Sequence, residues 1–337
     1  MKLSHIVSIL AVLALSGSGV LAQAPIGSIL RVEIENQTVY VFDCPNSELA
    51  TNPNKLTRSN PIPKTFESTM NFGDIVSVNG TPVKGSVFES ISYFTASPTG
   101  ALGQAISDTT HGGMYLWNLE FLNLDGTPIG AVQISGLSGG ARPPGYPREI
   151  PRNGAYIVTG GTGVFFGVRG YWQADPDAAV PVRTTSACED PAFRRTHGGG
   201  KIHAILYLVP LSQPQIVMTA TGPAVVHSND NSPVTTAKPA KSSEILTLYA
   251  TGLGPTRPGV EPGQPFTADP RQVVNSPVQV FVNGRTSEVL YAGGYPGTAD
   301  GYQVNFRVPD GITPGQASIQ VTSAWNAGPE AKVPVSQ

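Results

Sequence analysis

Between Ser28 and Asp43 apolar and polar residues alternate, with Leu30, Val32 and Ile34 on one side and Arg31, Glu33 and Glu35 on the other. A period of two is that of a strand with one buried face. The pattern resumes at Asp74, passes the turn signal Asn79-Gly80 and continues as a strand over Val87–Phe94. Met114–Leu124 is predicted to pair with Ile129–Leu137 across Asp125–Pro128. Two further β-rich runs, Ala155–Val158 and Val164–Gln173, flank Thr159–Gly163, where Gly160, Gly161 and Gly163 sit close together. Glycine takes positive φ without a Cβ clash, so this segment is predicted to be a tight hairpin turn. Lys201–Leu211 ends the series as an apolar strand. The polar or Gly/Pro-rich stretches 46–63, 98–113, 138–147 and 175–200 are predicted loops.

From Gln213 a second series begins, with strands predicted at Gln215–Ala220, Glu244–Ala250, Pro277–Val282, Ser287–Tyr291, Tyr302–Val308 and Ala317–Thr322. Asn283-Gly284 between two of them is a strong hairpin signal. No segment carries a sustained helical stripe with caps, so the chain is predicted to be all-β. Residues 25–211 would form one barrel. Residues 212–337 would form an immunoglobulin-like β-sandwich, although a Cys…Trp…Cys core is missing.

Composition agrees with turn-rich β domains, with 38 glycines, 31 prolines and 13% charged residues among 337. A formal net charge of -2 without a basic block gives no reason to expect nucleic acid or an anionic membrane as partner. Lys2, the apolar run Ile6–Leu15 and the Ser16–Gly19 break read as a signal peptide over 1–24, cleaved near Ala22 or Ala24. The apolar run is shorter than a membrane span requires. A secreted or cell-envelope protein is therefore expected. In that oxidising setting Cys44 and Cys188, the two cysteines, are expected to form a structural disulfide.

Gly160-Gly161-Thr162-Gly163, then Phe165 or Phe166, then Arg169-Gly170, resemble the signature of dirigent proteins, whose barrel allene oxide cyclases share. Asn123-Leu124-Asp125-Gly126-Thr127 on the preceding hairpin and the apolar closing strand follow in the matching order. Val168 stands where that family has a small residue. The resemblance spans roughly Ile26 to Leu211. It implies an eight-stranded antiparallel barrel, commonly a homotrimer, with an apolar cavity that holds a phenolic or lipid-like molecule in one conformation. Tyr249–Pro255 and Tyr302–Gly315 are similar to an Ig-like (IPT/TIG-related) domain at the C-termini of many secreted bacterial proteins.

The candidate binding residues come from strand parity. Arg169, Tyr171 and Gln173 share one face of their strand, and His203, Ile205, Tyr207 and Val209 share one face of the closing strand. These mixed faces would line a cavity, with Arg169 binding a carboxylate and Tyr171, Tyr207 and His203 exchanging hydrogen bonds or protons. The alternative is that the aliphatic faces fill a closed core and leave Arg169 in solvent. Glu120, between apolar neighbours, is the candidate acid. Gly136-Leu137-Ser138-Gly139-Gly140 matches a hydrolase elbow, but the proline-rich Ala141–Pro147 cannot open the helix that elbow requires. His111, His197, His203 and His227 lack metal-ligand spacing, and no cofactor motif is present. The expected function is binding or orienting a small, mostly apolar molecule. The rivals are a cyclase or isomerase of the allene-oxide-cyclase kind and a non-catalytic surface or matrix protein.

Overall fold

The computed structural model describes residues 28–41, 67–95, 112–137, 155–261 and 263–336. The expected signal peptide, Cys44, His111 and the Ser138 motif lie outside the described residues.

The first unit contains β1 (Ser28–Val41), β2 (Glu67–Val78), β3 (Thr81–Thr95), β4 (Gly112–Leu122), β5 (Pro128–Leu137), β6 (Ala155–Gly161), β7 (Arg169–Pro176), β8 (Arg183–Ser186) and β9 (Gly200–Val209). Sequential antiparallel pairing from β1 to β7, then β7 to β9 and β9 back to β1, closes an eight-stranded barrel. The β2–β3 hairpin turns at Asn79 and Gly80, with φ of 50° and 77°. Positive φ at both central residues matches the twist of the flanking strands.

The glycine segment departs from the tight hairpin expected of it. Gly160 and Gly161 belong to β6, a 3-10 turn occupies Gly163–Phe165, and β7 begins only at Arg169. The cause is packing. Phe165 turns inward to meet Phe121 with ring centroids 5.2 Å apart, and the alternation expected over Val164–Gln173 breaks there. Gly163 at φ 61° lies so close to β5 that a Cβ would come within 2.4 Å of the Ile129 carbonyl oxygen. Only glycine fits that contact.

The barrel interior is filled by the aliphatic faces. Val32, Leu119, Val132 and Leu206, one each from β1, β4, β5 and β9, are wholly inaccessible in one continuous cluster.

The excursion between β7 and β9 contains β8, which pairs in parallel with the end of β1, and a 3-10 turn over Pro191–Arg195. Asp74 on β2 clamps it, accepting from Arg194 and from Arg195 Nη2 at 2.7 Å. Burial pushes the Asp74 carboxyl up, but hydrogen bonds from Arg195, Asn36 and Arg194 outweigh it and hold the pKa below the ordinary value.

The second unit is a curled sheet. Its long strand Arg285–Gly294 pairs at its start with Val278–Val282 and from Glu288 onward with Tyr302–Arg307, with a bulge between Val289 and Tyr291. Leu248, Val280, Val304, Ile319 and Val321 fill its core. The hairpin tip Ala324-Trp325 reaches the first unit, where Ala324 joins the barrel's buried cluster and Trp325 packs against it. Asn275 and Asn326 fasten the contact: Asn275 donates to the Pro128 carbonyl, and Ser28 Oγ donates to Asn326 Oδ1 at 2.7 Å.

Candidate functional site

At the end of the barrel away from Trp325 the aliphatic packing gives way to a cavity of about 370 Å³. That volume suits a small organic molecule. Aromatic rings form one wall. Tyr115 stacks on Trp117 at 5.1 Å, Tyr156 meets Trp117 edge-on at 5.0 Å, and Trp172 lies 6.3 Å from Trp117. All four line the space.

Amides and one carboxylate form the polar part. Asn71 on β2 donates from Nδ2 to Glu89 Oε2 on β3 at 2.5 Å, and both residues are buried. The two are direct neighbours across the β2–β3 ladder, which fixes their pairing.

Gln37 reaches the cavity through an irregularity in β1. Residues 30, 32 and 34 face inward, and strict alternation would send 36 after them. Instead Asn36 takes φ of 56° and the β1 pairing slips between Glu35 and Thr38, which turns Gln37 into the cavity. Gly73 opposite makes room, since a Cβ there would lie 2.2 Å from Gln37 Oε1.

Gln173 on β7 is the third amide. β7 pairs with β6 only through Ile157–Tyr171 and Val158–Gly170, then runs on to Pro176 beside β9 alone among the described residues. Gln173 thus lies on the part of β7 beyond its ladder with β6. Gln37 Oε1, Asn71 Oδ1 and Gln173 Oε1 are buried without a hydrogen-bond partner among the described residues. Such oxygens each cost about 1–3 kcal/mol unless something donates to them.

Of the residues that strand parity placed on the mixed faces, Gln173 lines the cavity and the rest lie elsewhere. Tyr171 and Tyr207 are direct cross-strand partners with ring centroids 6.3 Å apart, but they stand on the outer face. Their outer row continues through Ile157 to Ser135 and Leu116. Arg169 is exposed and donates from Nη1 to the Val168 carbonyl at 2.9 Å. His203 is exposed, with Nδ1 2.6 Å from Glu33 Oε2. Glu120 is half-buried and accepts from Ser86 Oγ at 3.4 Å. Apart from Gln173, the expectation that the mixed faces line the cavity is thereby corrected. The aliphatic faces are the larger apolar surface, and a closed barrel turns that surface inward.

The cavity residues carried a weaker signal that parity reasoning passed over. Glu89 shares a strand face with Val87 and Ile91, and Asn71 shares one with Ile75, so each is a polar residue on an apolar stripe. Tyr115 and Trp117 sit on the same stripe as Leu119 and Phe121.

Among the described residues no group of three His, Cys, Asp or Glu side chains is placed to hold a metal ion, and no helix is long and apolar enough to cross a membrane. His197 Nδ1 lies 2.8 Å from Glu189, on the excursion between β7 and β9. Compared with models of known families, with curated proteins and with solved structures, the chain matches none.

Proposed function

We propose that this is a secreted bacterial protein whose barrel, of the dirigent and allene-oxide-cyclase kind, binds or orients a small, mostly apolar molecule. The observation that carries the reading is the aromatic-walled cavity of about 370 Å³ at one end of an otherwise filled barrel. Flat aromatic walls hold an apolar body in one orientation, and a few buried polar groups fix its head. Orientation of this kind alone can govern the outcome of an intrinsically reactive substrate.

The second unit we read as an Ig-like (IPT/TIG-related) accessory module. Its support is the curled sheet in which one long strand, Arg285–Gly294, joins both halves. A homotrimeric assembly is part of the same reading, and the exposed apolar side chains Leu116 and Ile157 on the barrel's outer face support it.

A second reading, a cyclase or isomerase, is favoured by Glu89. A buried carboxylate beside a bound substrate can take or give a proton. Native mass spectrometry of protein purified without denaturation, followed by untargeted identification of released molecules, tests the binding reading. A one-to-one adduct released from the barrel is expected; protein that stays unliganded across lipid and phenolic libraries would overturn it. Turnover separates the two readings, because Glu89→Gln would abolish catalysis yet leave a pure binder's product ratios unchanged.

A further inference from the structure

Asp74 stands outside the cavity yet is tied to two of its walls. β2 sends Asn71, Gly73 and Ile75 inward and Asp74 outward, so the carboxylate does not line the space. Its side chain is 14% exposed and serves three residues at once. Oδ2 accepts from Asn36 Nδ2 at 3.0 Å and from Arg195 Nε at 2.8 Å. Oδ1 accepts from Arg194 and from Arg195 Nη2 at 2.7 Å.

Asn36 leads to the first wall. Its φ of 56° accompanies the slip that turns Gln37 into the cavity, and the bond to Asp74 supports that uncommon conformation. The second wall is Val182, on the excursion between β7 and β9. Arg183 beside it donates from Nε to the Gly198 carbonyl at 2.8 Å and pairs with Glu189 at 2.9 Å. Those bonds tie Val182 to the segment that carries Arg194 and Arg195. The walls also touch each other. A Cβ on Gly199 would lie 2.4 Å from the Asn36 carbonyl carbon, and one on Gly200 would lie 2.5 Å from Val182 Cα. Gly200 is in turn the ladder partner of Gln37.

We propose that Asp74 is a positioning residue for the cavity: by holding Asn36 and the Arg194-Arg195 turn together, it sets Gln37 and Val182 in place and fixes the shape a ligand meets. A binding site depends on such supporting residues to lock its lining. This rests on the reading of the cavity as a site for small apolar molecules, and the test separates the two ideas. Saturable quenching of tryptophan fluorescence by nitrobenzene would be followed in the full chain. A Trp325→Phe background leaves Trp117 and Trp172 as the reporters. Asp74→Asn should weaken nitrobenzene binding about ten-fold. Val132→Ala, in the filled part of the barrel, should lose comparable stability in urea and keep the background's affinity. Arg195→Ala is a milder cut, because that side chain is 54% exposed and Arg194 stays paired. It should fold and weaken binding about three-fold. Undiminished affinity in Asp74→Asn or in Arg195→Ala would overturn the positioning role and leave the apolar site standing. Equal losses in Asp74→Asn and Val132→Ala would also overturn it, since affinity would then merely follow stability. A chain without saturable quenching would remove the site and the positioning role together.

Discussion

The indole of Trp325 lies 6.0 Å from the ring of Phe121, so a residue near the end of the chain helps cover the barrel floor. The hairpin that delivers it is conformationally costly. Ala324 and Trp325 occupy the two-residue turn with φ of 45° and 63°, a region that residues with a Cβ seldom enter. Packing against the barrel's buried cluster offsets that strain.

Trp325→Ala should therefore lower stability by about 2–3 kcal/mol through lost packing, while leaving the strained turn in place. Trp325→Gly removes the same ring but relieves the positive φ, which recovers about 1 kcal/mol. Urea denaturation should rank wild type above Gly and Gly above Ala. The reverse order for the two variants would mean that the turn stores no strain.

Acid should loosen the excursion that carries β8. The pKa of Asp74 is lowered in the folded protein, so its contribution is complete above the carboxyl's unfolded value. It is lost as pH falls through the lowered folded value. Stability measured by denaturant at pH 7 should exceed that at pH 3, and Asp74→Asn should shrink the difference. At pH 7 the variant should cost about 2–4 kcal/mol, because the buried Arg194 guanidinium loses its carboxylate.

The parallel pairing of Thr38–Val41 with Arg183–Ser186 brings two chain segments to the same point. Cys44 follows Val41 by three residues and Cys188 follows Ser186 by two. Peptide mapping without reductant should recover a Cys44–Cys188 crosslinked pair. Reduction should then cost about 4–5 kcal/mol on a chain-entropy estimate for so long a loop.

Much of the barrel could be read from alternation alone, because each strand has one aliphatic face and a closed ring must bury it. What alternation could not assign was which polar residues enter the interior. Glu89 and Asn71 obey the period and fall on buried stripes, so their place could be read, yet a lone polar residue there looks like noise. Gln37 could not be read at all, since its direction depends on the slip at Asn36. The strand expected over Val164–Gln173 failed at Phe165 for the same kind of reason. A 3-10 turn replaced the strand, and the period of two ceased to apply. Arg169, Tyr171, His203 and Tyr207 form a polar stripe that looks like a site in sequence but faces outward in the fold.

The last prediction concerns the glycine that admits Gln37. At Gly73 a methyl group would meet Gln37 Oε1 at 2.2 Å and Ile34 Cγ2 at 2.7 Å. The glutamine end can swing aside, but the branched isoleucine is buried and has little freedom. Gly73→Ala should cost about 1–3 kcal/mol through overpacking and should push Gln37 out of the cavity. Pairing it with Gln37→Ala removes the first clash and leaves the second. The double variant should therefore recover only part of the lost stability, as read by urea denaturation. Full recovery of stability in the double variant would mean that the approach to Ile34 costs nothing.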